Sequence, residues 1–162
     1  MHIRRIVKEG APPVILSHGM VLTNLAMRKL GCILWKNGYD VWMPNMRGHG
    51  NGSERSVVVP YEKRGYSFDK VVSQDWPQLL DYVHTKTQQK VAIIGFSMGG
   101  MTWEQALSGV YQKDEILAQS DEVAKQRTQK VSAFVGIATP PDLSNISDTV
   151  KTLLTPFSNY FS

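Results

Sequence analysis

Apolar residues in this chain fall into short continuous runs separated by amphipathic stretches, the pattern of strands buried on both faces alternating with surface helices. Pro13-Val-Ile-Leu-Ser17, Tyr39-Asp-Val-Trp-Met43, Lys90-Val-Ala-Ile-Ile-Gly-Phe96 and Val131-Ser-Ala-Phe-Val-Gly-Ile-Ala138 each predict a strand. Residues 2 to 7 predict an edge strand, and Gly10-Ala-Pro-Pro13 turns the chain into the next run. Leu22, Leu25, Leu30, Ile33 and Leu34 recur at helical spacing over 22 to 37, where Asn37-Gly38 supplies the stop. Val71, Val72, Trp76, Leu79, Leu80 and Val83 share one face of a helix from about 68 to 86, with a kink or break expected at Pro77. Further helices are expected over 98 to 112 and, on the surface, over the polar stretch 113 to 128. Residues 47 to 65 carry Gly, Asn and Ser without a period and predict a long loop. This alternation builds an α/β fold, a mostly parallel sheet flanked by helices on both faces.

Composition narrows the picture only modestly. A chain of 162 residues has room for one domain, 1 to 162, with a sizeable core. The net charge of +4 comes from basic residues scattered along the chain, without the aromatic-interleaved stripe that nucleic-acid binding requires. Cys32 is the only cysteine, which excludes an intrachain disulfide and a thiol-based zinc site, and it is expected to be a small buried apolar residue. No cofactor or metal is called for. There is no signal-peptide pattern and no apolar run near the 18 residues that could span a bilayer, so the expectation is a cytoplasmic chain without an integral membrane segment.

The chemistry concentrates where the strand ending at Phe96 meets Gly95-x-Ser97-x-Gly99. A strand running into G-x-S-x-G with a helix behind it is the nucleophile elbow of an α/β-hydrolase: the serine stands on a strained turn, and the glycines let neighbouring backbone pass. The motif alone is common, and the preceding strand makes it specific. A second element agrees, since the run ending in Ser17-His18-Gly19 is placed as the early strand whose loop donates one oxyanion-hole amide. The donors would be the backbone N–H groups of Met20 and Met98, which need no particular side chain.

Gly38-Tyr-Asp-Val-Trp-Met-Pro-Asn-Met-Arg-Gly48, Tyr66-Ser-Phe-Asp69, Asp75-Trp-Pro-Gln-Leu-Leu-Asp-Tyr-Val83 and the elbow follow one another at characteristic spacing. In identity and order they resemble the acid lipase branch of the α/β-hydrolases over about residues 12 to 110. The resemblance implies a serine hydrolase acting on carboxylic esters, of lipids or other acyl groups, as small-molecule substrates. Phe96 and Met98 depart from the His and Gln usual there, and Ser-Met-Gly-Gly is also familiar from monoacylglycerol lipases, other esterases and serine peptidases of the fold.

A serine nucleophile needs a base and an acid, which in this fold follow it in the order Ser, Asp or Glu, His. All four histidines, His2, His18, His49 and His84, precede Ser97. The resemblance therefore implies a chain truncated after the strand that follows the elbow, without the region carrying the catalytic histidine. His18 is expected in local hydrogen bonds beneath the oxyanion loop and His84 on a solvated helix surface, while His49, between two glycines, is a remote substitute base. Asp142 follows the strand after the elbow, where a minority of these hydrolases place the acid, but Pro-Pro-Asp-Leu more simply turns the chain and caps a helix. Asp40 and Asp69 read as loop or helix-start residues, and Trp35, Trp42, Trp76 and Trp103 as core. Two readings stand: an ester hydrolase with Ser97 as nucleophile, or a non-catalytic binding or assembly module. In either, an unpaired sheet edge predicts self-association.

Overall fold

A computed structural model of the chain describes residues 1–56, 67–114 and 116–139. The first half runs β1 (Ile3–Ile6), β2 (Pro13–Ser17), a 3₁₀ turn (Asn24–Met27), α1 (Arg28–Lys36) and β3 (Asp40–Pro44). A 3₁₀ turn (Gly52–Glu54) follows β3, and from residue 67 on come α2 (Phe68–Lys70), a π-helical turn (Val71–Asp75) and α3 (Trp76–Thr87). They are followed by β4 (Val91–Phe96), α4 (Met98–Leu107), the hairpin of β5 (Val110–Lys113) and β6 (Ile116–Gln119), α5 (Asp121–Thr128) and β7 (Val131–Ile137).

Five strands form one sheet in the order β1-β3-β2-β4-β7, with β1 antiparallel to β3 and the other pairs parallel. The four predicted parallel strands are all present. Because side chains alternate across a strand, Val14 and Leu16 join Val41 and Met43 on the α1 side, while Ile15, Trp42 and Ile93 face Trp76, Leu79, Leu80 and Trp103 on the other. Trp76 and Trp103 stack with ring centroids 4.9 Å apart, and Trp103 Nε1 donates to Ser17 Oγ at 2.6 Å, locking α3 and α4 onto the end of β2.

Several local expectations are corrected. The helix at 22 to 37 starts late, as a 3₁₀ turn, and its sheet-facing side runs through Met27 and the buried Gly31. Cys32 and Ile33 therefore face solvent, and Cys32 is exposed rather than buried. Trp35 is likewise outside the core, 38% exposed, its Nε1 donating to Val7 O. Residues 110–113 and 116–119 pair as antiparallel strands where helix was expected, because Gly109 at φ +89° ends α4 and Tyr111, Leu117 and their neighbours pair between them. His84 is partly buried, with Nδ1 against Gln89 O at 2.8 Å, instead of solvated.

Asp40 is a buried strand residue, not a loop or helix start. Arg5 grips it through Nε at 3.0 Å and Nη2 at 2.8 Å, Trp42 Nε1 donates to it at 2.7 Å, and the guanidinium lies 4.2 Å from the Trp42 ring centroid. The break expected at Pro77 takes the form of the π turn. Proline has no N–H to continue an α ladder, and Trp76 N–H bonds five residues back to Val71 O.

Candidate functional site

The register of β2 beside β4 pairs Ser17 with Gly95, so the two loops at the strands' C-terminal ends leave the sheet side by side. His18-Gly19-Met20 follows one strand and Phe96-Ser97-Met98 the other. The open crevice beyond the carboxyl ends of parallel strands is where ligands of such sheets are bound.

Ser97 stands between β4 and α4 with φ +52° and ψ −122°. For a residue with a Cβ this is a strained conformation, of the kind that costs on the order of 1–3 kcal/mol and persists only when the surroundings enforce it. They do so here: Ser97 N–H bonds Ile137 O at 2.9 Å, while Ser97 O accepts from Gly100 at 2.9 Å and Met101 at 3.1 Å. The flanking glycines are required sterically. A Cβ on Gly99 would lie 2.6 Å from His18 O and 2.8 Å from Ser17 O, and one on Gly95 would lie 2.6 Å from Gly100 N. All of those neighbours are backbone that cannot give way.

The loop after β2 closes on the same point. A Cβ built on Gly19 would be 3.4 Å from Ser97 Cβ, so the Gly19 backbone passes beside the serine side chain. Met98 is the first residue of α4, which leaves its N–H without an acceptor inside the helix, at the end carrying positive partial charge. Of the predicted site residues, Ser97 and Met98 adjoin at the elbow, Met20 follows the Gly19 that lies beside them, and Asp142 lies outside the described residues.

His18 is fully buried and occupied at both ring nitrogens. Its Nε2 accepts from Met46 N–H at 3.1 Å, which makes Nδ1 the protonated nitrogen donating to Gly19 O at 2.8 Å. Burial lowers its pKa to about 4, the hydrogen bond to Gly19 opposing and the neighbouring His49 adding to the shift. This neutral ring is a strut joining β2, the Gly19 loop and the segment after β3. It matches the local role expected from sequence.

Two contacts were not evident from sequence. His49 places its ring centroid 5.1 Å from that of His18, with Nε2 against Met20 O and Nδ1 3.1 Å from Arg47 O. Arg47 in turn makes a two-pronged ion pair with Asp75, at 2.7 and 2.5 Å, tying the loop after β3 to the π turn. The signal was available in Arg47-Gly48-His49-Gly50 and Asp75-Trp76, although partners 28 residues apart cannot be matched by periodicity. Met46, His49, Phe68, Met98 and Thr102 enclose a cavity of about 20 Å³ beside the elbow, room for roughly one water. Among the described residues no group of three His, Cys, Asp or Glu could hold a metal ion, and no helix is long and apolar enough to cross a membrane.

Comparison with known proteins points the same way. A family model described as alpha/beta hydrolase fold matches residues 12–161. Triacylglycerol lipase 2 of Arabidopsis thaliana is 34% identical over 95 residues, covering 54% of this chain and 23% of that protein. Lysosomal acid lipase/cholesteryl ester hydrolase of Homo sapiens is 35% identical over 101 residues, covering 57% and 25% respectively. The chain thus spans about a quarter of the length of these curated relatives. Epoxide hydrolase A of Mycobacterium thermoresistibile superposes with a TM-score of 0.61 at 21% identity, over 95% of this chain and 40% of that one. A monoacylglycerol lipase of Paleococcus ferrophilus gives 0.58 at 20%, over 98% and 51%. At such identities these superpositions speak to the fold alone.

Proposed function

Since the chain belongs to the alpha/beta hydrolase fold family, we propose that it is the elbow-bearing part of a serine hydrolase acting on carboxylic esters of lipids or other acyl groups, and that residues 1 to 162 form one domain. Ser97 is the nucleophile, and the amides of Met20 and Met98 stabilise the oxyanion that forms when Ser97 Oγ attacks the ester carbonyl. The observation that carries this reading is the strained Ser97 backbone at the β4–α4 junction, held from both sides by β7 and the first turn of α4. Lipases among the relatives support the ester as substrate.

The acid and base come from outside the described residues. His18 has no free ring nitrogen, and His49 faces the carbonyls of Met20 and Arg47. Asp142 remains a candidate acid, with helix capping as the competing reading. Among the described residues neither His18 nor His49 has a ring nitrogen free to serve Ser97, which also favours the second reading, a non-catalytic binding or assembly module. Purified chain 1 to 162 and its Ser97→Ala variant separate the two when assayed on p-nitrophenyl acetate. The enzymatic reading expects weak turnover that Ser97→Ala lowers, since the serine is then the attacking group; identical rates for both proteins would favour the binding module. Light scattering on the same sample is expected to show self-association. Among the described residues β7 is an edge strand and exposes Val135 and Ile137, at 48% and 41%, and such an edge templates further pairing.

A further inference from the structure

The outward face of α1 carries charge that the fold does not answer. No acidic residue occurs from Gly10 to Tyr39, while Arg28, Lys29 and Lys36 all stand exposed on this helix. Among the described residues these three cations make neither an ion pair nor a side-chain hydrogen bond, whereas Arg4, Arg5, Arg47 and Lys130 each hold a carboxylate. Arg28 and Lys29 also occupy the first turn of α1, the end whose partial charge is positive, so their placement weakens the helix instead of supporting it.

Between its cations the same face is apolar. Met27 and Gly31 pack on the sheet, which turns the other side of the helix outward. Leu25, Arg28, Cys32 and Trp35, three and four residues apart, line one stripe of that side, and Lys29 and Lys36 run alongside it. Leu25 is 46% exposed and Cys32 is exposed with it. At the far end Trp35 Nε1 donates to Val7 O at 2.9 Å, which brings the exposed Val7 to the stripe. Lys8 Nζ donates to Trp35 O at 2.8 Å and lies 5.2 Å from the indole centroid, placing another cation at the border.

We propose that this face docks the chain peripherally on an anionic bilayer surface, with Leu25, Cys32 and Trp35 at the acyl boundary and Arg28, Lys29, Lys36 and Lys8 on the lipid phosphates. The two kinds of side chain suit the two depths of such a surface: apolar groups enter the headgroup layer, while long basic side chains bend back to the phosphates. Charge complementarity selects the anionic lipid, since the cations have no partner inside the fold. The convex shape selects a bilayer over a protein, because a deformable surface closes around a ridge that a protein partner would have to match with a groove. The docking face lies across the sheet from α3 and α4 and is independent of the hydrolase reading.

Co-sedimentation of the full chain with phosphatidylcholine vesicles, with and without phosphatidylserine, measures the docking, and tryptophan emission reports its site. Trp42, Trp76 and Trp103 are buried, so a blue shift and protection from acrylamide on binding report Trp35. Binding is expected on the anionic vesicles only, falling as salt is raised. Each of Arg28→Gln, Lys29→Gln and Lys36→Gln weakens it about fivefold, and the triple variant about a hundredfold. Because all three positions are exposed, the triple variant keeps its fold. Lys86→Gln, Lys113→Gln and Lys125→Gln together remove the same charge from other exposed positions and should leave binding within about threefold of wild type. Leu25→Ser is expected to weaken binding about fivefold through lost apolar burial. The proposal is overturned by failure to bind phosphatidylserine vesicles, by equal losses in the two triple variants, or by binding that leaves the Trp35 emission unmoved. Binding to polyglutamate as tight as to vesicles, and indifferent to Leu25→Ser, would assign the face to an acidic protein and overturn it as well.

Discussion

Acidification from neutral pH to about 4 should destabilise this fold through one residue, His18. In the folded chain its ring is neutral with a pKa of about 4, against an ordinary value of 6.5, chiefly because burial penalises the imidazolium. Between those two values the unfolded chain binds a proton that the folded chain does not, so stability rises with pH across the window and is lost as pH falls. At 1.36 kcal/mol for each pKa unit, the full effect is about 3 kcal/mol, a large fraction of the ~5–15 kcal/mol that holds a typical domain together. Protonation also has a stereochemical cost. The Nε2 lone pair that accepts Met46 N–H at 3.1 Å would become a donor facing a donor. Urea denaturation of the wild type and of His18→Leu at pH 7.5, 6.5, 5.5 and 4.5 measures the term. The variant is expected to be weaker at neutral pH, because Met46 N–H loses its acceptor, yet nearly flat across the window in which the wild type falls. Parallel pH profiles for the two proteins would refute the reasoning, and would assign the acid sensitivity to the carboxylate ion pairs.

Two further outcomes follow from the geometry. Ser97→Gly should be more stable than Ser97→Ala by about 1 kcal/mol, since glycine accepts the φ of +52° without strain; equal midpoints in thermal melts would show that the elbow is relaxed. Asp40→Asn should cost about 3 kcal/mol by leaving Arg5 without its anionic partner in a mostly buried setting, read by urea titration.

Legibility in the sequence followed the physics of each element. The four parallel strands were evident because burial on both faces forces continuous apolar runs. The elbow was evident because backbone crowding at Gly95 and Gly99 excludes every side chain, so the glycines are written into the sequence at fixed spacing. The hairpin at 110–119 was not. Tyr111, Leu117 and Ala118 pair across a short, half-exposed ribbon whose alternation is too brief to outweigh the helix-permissive polar residues around it. Trp35 and Cys32 were misplaced for a different reason: tryptophan and cysteine are ordinarily buried, but α1 turns the side bearing Gly31 to the sheet, where Met43 Sδ leaves only 3.0 Å for a Cβ. At the site itself, the placement of Ser97 at the strand-to-helix turn beside the loop after β2 was legible from local sequence. The Arg47–Asp75 pair and the contact of His49 with Met20 O join residues 28 and 29 positions apart, which local patterning does not encode.

The central claim is that Ser97 is a nucleophile facing an oxyanion site, and acyl transfer to the protein tests it most directly. The purified chain is incubated with p-nitrophenyl butyrate, quenched in acid, digested and mapped by mass spectrometry, beside the Ser97→Ala variant. The account predicts that the butyryl group is found on the peptide containing Ser97 and that the variant carries none there. Butyrylation spread over lysines in both proteins, with the Ser97 peptide unmodified, would contradict it.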